Sequence, residues 1–462
     1  MKITLLSPRK PVIDGHRENW DAEFISFMLG KKIYNCAYLA LPTIAALTPP
    51  DVEIKIVDEN IEDIDFDMDT DLVGITTPTF LAPRAYEIAE EFRKRDVTVV
   101  LGGIHPSMLP DEAITHADVL VTGEAEGVWG ELINDYKKGR LKQFYQCLEK
   151  PDLSELPIPR WDLLKNDLYN IHSLQTTRGC PYDCEFCSVK AFLGNKYRCK
   201  PIDKIIEEVK TLIGLSRKRI FFTDDNFIGN KKRAKELLKV LGSFKISYYI
   251  QASLDLAKDE ELLKLLAQTG CNGIFIGFES VSETAIKQMN KAFSNKVPDY
   301  LESVRKIQSY GMGIQSSFIF GYDSDDISIF KKTVDFIQSA GLEMATFHIL
   351  TPFPGTKLYE RLNNEGRILH RDWGKYDGSY VCYKPTLMSA EALQNGMIWA
   401  KQKVYSYENI FERLKGIWTL WNQHSVRFED RISPIIRNLS CNDRAYSYAP
   451  AVDPYEFEDK NT

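Results

Sequence analysis

The chain lacks most of what would mark a membrane-spanning, nucleotide-binding or disulfide-stapled protein. Its 462 residues contain no apolar run of about 18 residues, so no transmembrane helix is expected, and only a peripheral contact with a membrane surface is left open. Basic residues are not in excess: 58 Lys and Arg against 65 Asp and Glu give a net charge of -7, which argues against a nucleic-acid partner. No G-x-G-x-x-G follows the first apolar stretch and no G-x-x-x-x-G-K-S/T occurs, which removes the usual support for nicotinamide and P-loop sites. No targeting stretch is visible either. Met1 to Pro8 reads as a first strand entering a turn, and a cytoplasmic protein is expected.

Cysteine is sparse but unevenly spread. The nine cysteines, at 36, 147, 180, 184, 187, 199, 271, 382 and 441, are an odd number, which in a reducing compartment fits one metal site and scattered thiols better than a disulfide framework. Three crowd into Cys180-Pro181-Tyr182-Asp183-Cys184-Glu185-Phe186-Cys187, behind the polar stretch Gln175-Thr176-Thr177-Arg178-Gly179. Three thiolates can hold three irons of a four-iron cubane and leave the fourth open to bind and cleave a small molecule, whereas four would close it into an electron carrier. Cys199 comes twelve residues after Cys187 with no second C-x-x-C around it, and is not expected to be a ligand. Structural zinc is the competing reading. It commonly needs paired C-x-x-C units or histidine partners, and His172 alone supplies neither, reading instead as a turn or surface histidine.

The fold class expected is α/β. Candidate strands at Lys2 to Ser7, Glu53 to Asp58, Asp71 to Thr76, Thr98 to Leu101 and Asp118 to Val121 alternate with helical stretches such as Pro83 to Arg95, a doubly wound pattern over residues 1–145. Thr76-Thr77-Pro78-Thr79, Gly102-Gly103 and Gly123-Glu124 to Gly127 follow strands, where a ligand site and ordinary turn chemistry both use small residues. A proline-punctuated linker spans 146–170. Strands at Ser173 to Thr177, Arg219 to Thr223, Ile246 to Gln251, Gly273 to Phe278, Gly313 to Phe320 and Thr346 to Leu350, with helices between them, suggest a partial (β/α)6 barrel over 171–360. From 361 to 462 a mainly helical cap carries Trp373, Trp399, Trp418 and Trp421; it either packs on the barrel or closes over an apolar substrate, and its last dozen residues are expected to be mobile.

The three cysteines and Phe186 match the C-x-x-x-C-x-Φ-C motif, with aromatic Φ, and over 171–360 the sequence resembles the radical S-adenosylmethionine superfamily. The resemblance implies a 4Fe-4S cluster on Cys180, Cys184 and Cys187, whose open iron binds the amino and carboxylate groups of S-adenosylmethionine. One electron then cleaves the cofactor to methionine and a 5′-deoxyadenosyl radical. Candidate cofactor contacts besides Phe186 stand at strand ends: Asp224, Asp225 and Asn226, whose other role would be helix capping, then Gln251 with Ser253, and Glu279 with Ser280. Arg198 is a candidate for the cofactor carboxylate, with a salt bridge as its alternative.

Residues 1–145, through Leu101-Gly102-Gly103-Ile104-His105-Pro106 and Val121-Thr122-Gly123-Glu124, resemble the cobalamin-binding domain of the cobalamin-dependent radical subclass. That implies cobalamin contacts from Thr76, Thr77, Pro78, Thr79, Gly102, Gly103, His105, Gly123 and Glu124. The histidine-ligating motif D-x-H-x-x-G is replaced by Asp14-Gly15-His16-Arg17-Glu18-Asn19, so no histidine ligand to cobalt is expected, and the lower face would lie near Thr76 to Thr79.

The resemblance further implies radical methylation: one S-adenosylmethionine methylates cobalamin, and a second yields the radical that takes hydrogen from an unactivated carbon. No general acid or base is expected, since the cofactors carry the chemistry. The segment Ile349 to Thr356, with Trp373, Tyr376-Asp377, Lys384-Pro385 and Met388-Ser389, resembles the branch that modifies hopanoids, isoprenoids and tetrapyrroles, which implies a hydrophobic small-molecule substrate. A low-potential donor such as flavodoxin or ferredoxin would supply electrons. Cyclisation, ring contraction and oxidation are the alternative reactions, and an iron-sulfur or zinc interaction protein the non-enzymatic alternative. Tyr359, Tyr376 and Tyr380 are candidates for proton or hydrogen-atom transfer, with packing the competing role.

Overall fold

In the computed structural model, residues 1–10, 34, 36–215, 219–423, 435, 437–442 and 445–446 are described. Asp14 to Asn19 and the last dozen residues lie outside them, as does the side chain of Trp421.

The first unit is a six-stranded sheet, parallel throughout, in the order β2-β1-β3-β4-β5-β6. Its strands are β1 (Lys2–Ser7), β2 (Glu53–Asp58), β3 (Leu72–Thr76), β4 (Thr98–Gly102), β5 (Val119–Thr122) and β6 (Phe144–Gln146). Both faces are covered, which is why the strands read as continuous apolar runs. On one face Leu6, Val73, Ile75, Val99 and Leu101 meet Ala85, Ile88, Ala89 and Phe92 of the helix Ala82–Arg93. On the other, Leu5, Leu72, Val100 and Val121 cluster with Leu41 of the helix Ala40–Leu47 and with Leu132 and Ile133 of Trp129–Lys137. The strand β6 was not foreseen: three residues are too few to show a period, and it pairs with β5 only at the sheet edge.

The second sheet runs β14-β13-β12-β11-β10-β7, again all parallel. It comprises β7 (His172–Leu174), β10 (Arg219–Phe222), β11 (Ser247–Gln251), β12 (Cys271–Glu279), β13 (Gly313–Phe320) and β14 (Met344–Ile349), with helices on the outside, the open six-stranded barrel expected. The strand expected at Ser173 to Thr177 divides. After β7, the Asp224 carboxylate takes the backbone N–H groups of Thr176 and Thr177 out of the barrel ladder. The chain then forms a separate antiparallel ribbon of β8 (Thr177–Arg178) and β9 (Arg198–Cys199).

The C-terminal region divides its packing between both sheets. The helix Ala390–Val404 lies against the barrel helix Ser328–Ala340 and β14, and the Tyr405 hydroxyl donates to the Ala345 carbonyl at 2.6 Å. Trp373, Tyr376 and Cys382 are buried instead in the core of the first unit, and Trp373 Nε1 donates to Glu112 Oε1 at 2.8 Å. The C-terminal region thus touches the barrel through Ala390–Val404 and Tyr405 and the first unit through Trp373 and Tyr376, while Trp418 is exposed. Among the described residues, no helix is long and apolar enough to cross a membrane.

Candidate active site

The cysteine loop hangs between β8 and β9 and is pinned from several sides. Gly179 has φ 85°, and a Cβ there would stand 2.6 Å from the Lys196 carbonyl oxygen, so only glycine lets the chain turn into Cys180. The Gly179 amide donates to Asp225 Oδ2 at 3.1 Å. Within the loop, Arg361 holds the Glu185 carboxylate through Nε at 2.6 Å and Nη2 at 3.2 Å, and the Glu185 amide donates to the Met289 carbonyl.

Cys180, Cys184 and Cys187 are all half-buried. Burial pushes the Cys184 thiol up to about 12 and the Cys187 thiol up to about 11. Cys184 also feels both other thiols, and Lys291 draws all three back down. Binding iron must release these protons, and that cation lies on the side of release. Among the described residues, no three His, Cys, Asp or Glu side chains surround a single metal-ion position. Cys199 pairs with Thr177 across the ribbon and feels Arg233 and Asp224.

The strand-end candidates separate into several roles. Asp224 is fully buried and accepts from the amides and hydroxyls of both Thr176 and Thr177, so it shapes the approach to the loop instead of meeting a cofactor. Asn226 donates to Ser253 Oγ at 3.2 Å and accepts from the Ile228 amide; Ser253 in turn bonds Asp255. Ser280 accepts from the Ser282 amide in the turn before the next helix. Gln251 is half-buried at the end of β11 and Phe186 packs at the edge of the barrel core. Glu279 ends β12 at φ 63°, an uncommon region for glutamate, just after a register shift between Gly277 and Glu279. Its carboxylate is paired with Lys291, which also donates to the Gly277 carbonyl. Lys291 was missed in the sequence, because it lies twelve residues beyond Glu279 and outside any strand-end pattern.

A cavity of about 580 Å³ opens between the two sheets. Its walls include Thr76, Pro78, Gly102, Gly103, Gly123 and Glu124 from strand ends of the first unit, Tyr38 and Ile44 beside them, and Gln175, Arg178, Phe192 and Asp225 from the barrel. Gly103 has φ 114°, and a Cβ on it would come within 3.1 Å of the Thr77 nitrogen, so the wall here is bare backbone. That surface suits a large flat ligand.

Three expected cobalamin contacts are not on this wall. Thr77 is buried, joining the two loops by its amide to Gly102 O and its carbonyl to the His105 amide. Thr79 is buried at the start of a short 3-10 turn. His105 is fully buried, with Nε2 2.9 Å from the Tyr86 hydroxyl and its ring edge-on to Trp373. Arg198 and Glu124, expected at different cofactors, are bonded to each other at 2.6 Å. None of the three candidate tyrosines lines the cavity: Tyr376 donates to His370 O, Tyr359 accepts from Arg371, and Tyr380 lies beneath Lys375.

Asp225 is the candidate that both borders the cavity and touches the cysteine loop. Burial pushes its carboxyl up to about 6. The folded protein thus holds this proton to higher pH than the unfolded chain does. The resulting stabilisation is complete below about pH 4 and is lost as the pH rises through about 6. Urea melts of the apo protein should lose stability over that window, and Asp225→Asn should flatten the decline; identical slopes would remove Asp225 as its source.

The Radical SAM superfamily model matches residues 174–337, and a domain of unknown function (DUF4070) matches 356–441. The chain is 34% identical over 405 residues to bacteriochlorophyllide d C-8(2)-methyltransferase of Chlorobaculum tepidum, covering 84% of this chain and 89% of that protein. It is 32% identical over 345 residues to the hopanoid C-2 methylase of Rhodopseudomonas palustris, covering 72% of this chain and 65% of the relative. Among solved structures, the cobalamin-dependent S-adenosylmethionine radical enzyme OxsB superposes with TM-score 0.69 at 15% identity, over 99% of this chain and 77% of that one.

Proposed function

We infer that this chain, which belongs to the radical S-adenosylmethionine superfamily, is a cobalamin-dependent C-methyltransferase acting on an unactivated carbon of a hydrophobic small molecule. The observation that carries the reading is the cavity shared by the bare-backbone wall at Gly102 and Gly103 and by Asp225 beside the cysteine loop. A wall of bare backbone facing Asp225, whose carboxylate holds the Gly179 amide beside Cys180, supports two cofactors meeting across this cavity. When bound, the cluster and S-adenosylmethionine supply a hydrogen-abstracting radical, and cobalamin supplies a transferable methyl group.

The protein's own residues hold and orient. Cys180, Cys184 and Cys187 would carry the cluster, and Lys291 offsets the charge gathered around them. Glu279 and Gln251 at strand ends and Asp225 at the cavity edge are the acceptors proposed for the ammonium and ribose groups of S-adenosylmethionine. Tyr38, Leu39, Leu41, Ile44 and Phe192 make much of the remaining wall apolar, which excludes water from a reactive radical. A low-potential flavodoxin or ferredoxin would deliver electrons.

The names of the relatives suggest a tetrapyrrole or a hopanoid as substrate. Anaerobically purified protein, expressed with cobalamin, should be offered bacteriochlorophyllide d and a hopanoid separately, with S-adenosylmethionine and a low-potential reductant. The expected result is a product one methylene heavier from one of them, with 5′-deoxyadenosine formed alongside. Dehydrogenated or cyclised product without added methyl would replace methyl transfer by oxidation or ring closure.

A further inference from the structure

We propose that Glu124 and the two arginines that grip it form a latch setting the separation of the cobalamin and cluster sites, with Arg178 and Arg198 as positioning residues. The inference rests on the two-cofactor reading above. Its starting point is the ribbon that brackets the cysteine loop. Arg178 on β8 and Arg198 on β9 face each other across it, and both reach out of the barrel to one carboxylate on the loop after β5.

Each oxygen of Glu124 takes one arginine: Arg198 Nη2 donates to Oε1 at 2.6 Å and Arg178 Nη1 to Oε2 at 2.7 Å. The rest of the Arg178 fork is also spent, with Nη2 2.6 Å from Glu126 Oε1 and Nε donating to Gln175 at 2.8 Å. Arg198 adds a bond from Nη1 to the Pro151 carbonyl, and Lys150 stands 3.6 Å from Glu124 Oε1. The Glu124 side chain is 2% exposed and both arginines 11%, so salt screens the network little. A planar guanidinium bonded through several nitrogens fixes orientation as well as distance.

Location gives the network its role. Glu124, Glu126, Arg178 and Gln175 all border the cavity, and Arg178 is two residues from Cys180. From the cavity wall to the first cysteine the path is Glu124, Arg178, Gly179, Cys180, every step a covalent link or a short ion pair. A buried ion cluster is a poor way to gain stability compared with apolar packing, but it holds one geometry strictly because any other leaves a charge unpaired.

The test uses holoenzyme carrying cobalamin and cluster, reduced so that cob(II)alamin and the cluster are both paramagnetic, with their separation read from dipolar coupling in pulsed EPR. Glu124→Gln protein carrying both cofactors should give a distance distribution about twofold broader than wild type, with Arg178→Lys intermediate. A wild-type distribution in Glu124→Gln would overturn the latch. Should Glu124→Gln lose a cofactor, Glu124→Asp keeps the charge and shortens the reach; a shifted mean distance then supports the latch and an unchanged one overturns it. Wild-type protein that takes up no cobalamin would overturn the two-cofactor reading and the latch with it, whereas an unchanged distance in loaded variants overturns the latch alone.

Discussion

Cys184→Ala protein, reconstituted anaerobically with iron and sulfide, is expected to show no charge-transfer absorption of a cubane and to form 5′-deoxyadenosine only at the level of a protein-free control. Cys184 is the central thiol of the three and interacts with both others, so its loss leaves two corners of the cluster held. The side chain is half-buried, and an alanine in its place disturbs little packing; the fold should survive, as far-ultraviolet circular dichroism would report. Cys199→Ala is the paired control, because that thiol stands on the ribbon among different neighbours, and it should retain the cluster. Stoichiometric zinc in the wild-type protein, with no cubane absorption, would sink the radical-enzyme reading.

Lys291→Met should cost both stability and cluster assembly. The Lys291 and Glu279 side chains are 14% and 8% exposed, and removing the cation leaves a buried carboxylate without its partner. Such a loss costs about 3–5 kcal/mol, on the order of a 10 °C fall in melting temperature for a domain of this size. Adding Glu279→Gln removes the stranded charge and should recover part of that loss. Cluster assembly separates the two effects. Lys291 lowers all three thiols, so without it they climb further and iron uptake should require a higher pH in the single variant, less so in the double, where Glu279 no longer raises Cys184. A single Lys291→Met variant that assembles its cluster at the wild-type pH would confine Lys291 to a structural role.

Legibility followed the range of the interaction that fixes each feature. Gly313–Phe320 and the helix Lys231–Leu241 fall where the apolar pattern puts them, because burial of one face is written locally as a period. The short β6 and the break between β7 and β8 were not legible, since the first is an edge pairing and the second is imposed by Asp224, 47 residues from Thr177. Trp373 shows the same limit: an aromatic after the barrel reads as barrel packing or as a substrate cover, and its indole instead bonds Glu112 of the first unit, 261 residues earlier. His105, Arg198 and Glu124 stand beside correct motifs, but adjacency along a chain does not tell which way a side chain turns.

The sequence by itself determined the three cysteines in their spacing, the two α/β units and most of their strands, because ligand spacing and burial periodicity are properties of neighbouring residues. Only the tertiary structure decided that Asp224 shapes the loop while Asp225 borders the cavity, that Lys291 reaches the cysteines, and that Glu124 is held by two arginines from the other unit. Those are meetings of charged groups brought together from distant parts of the chain, and no local pattern records them. Each is settled where burial makes an unpaired charge too costly to leave.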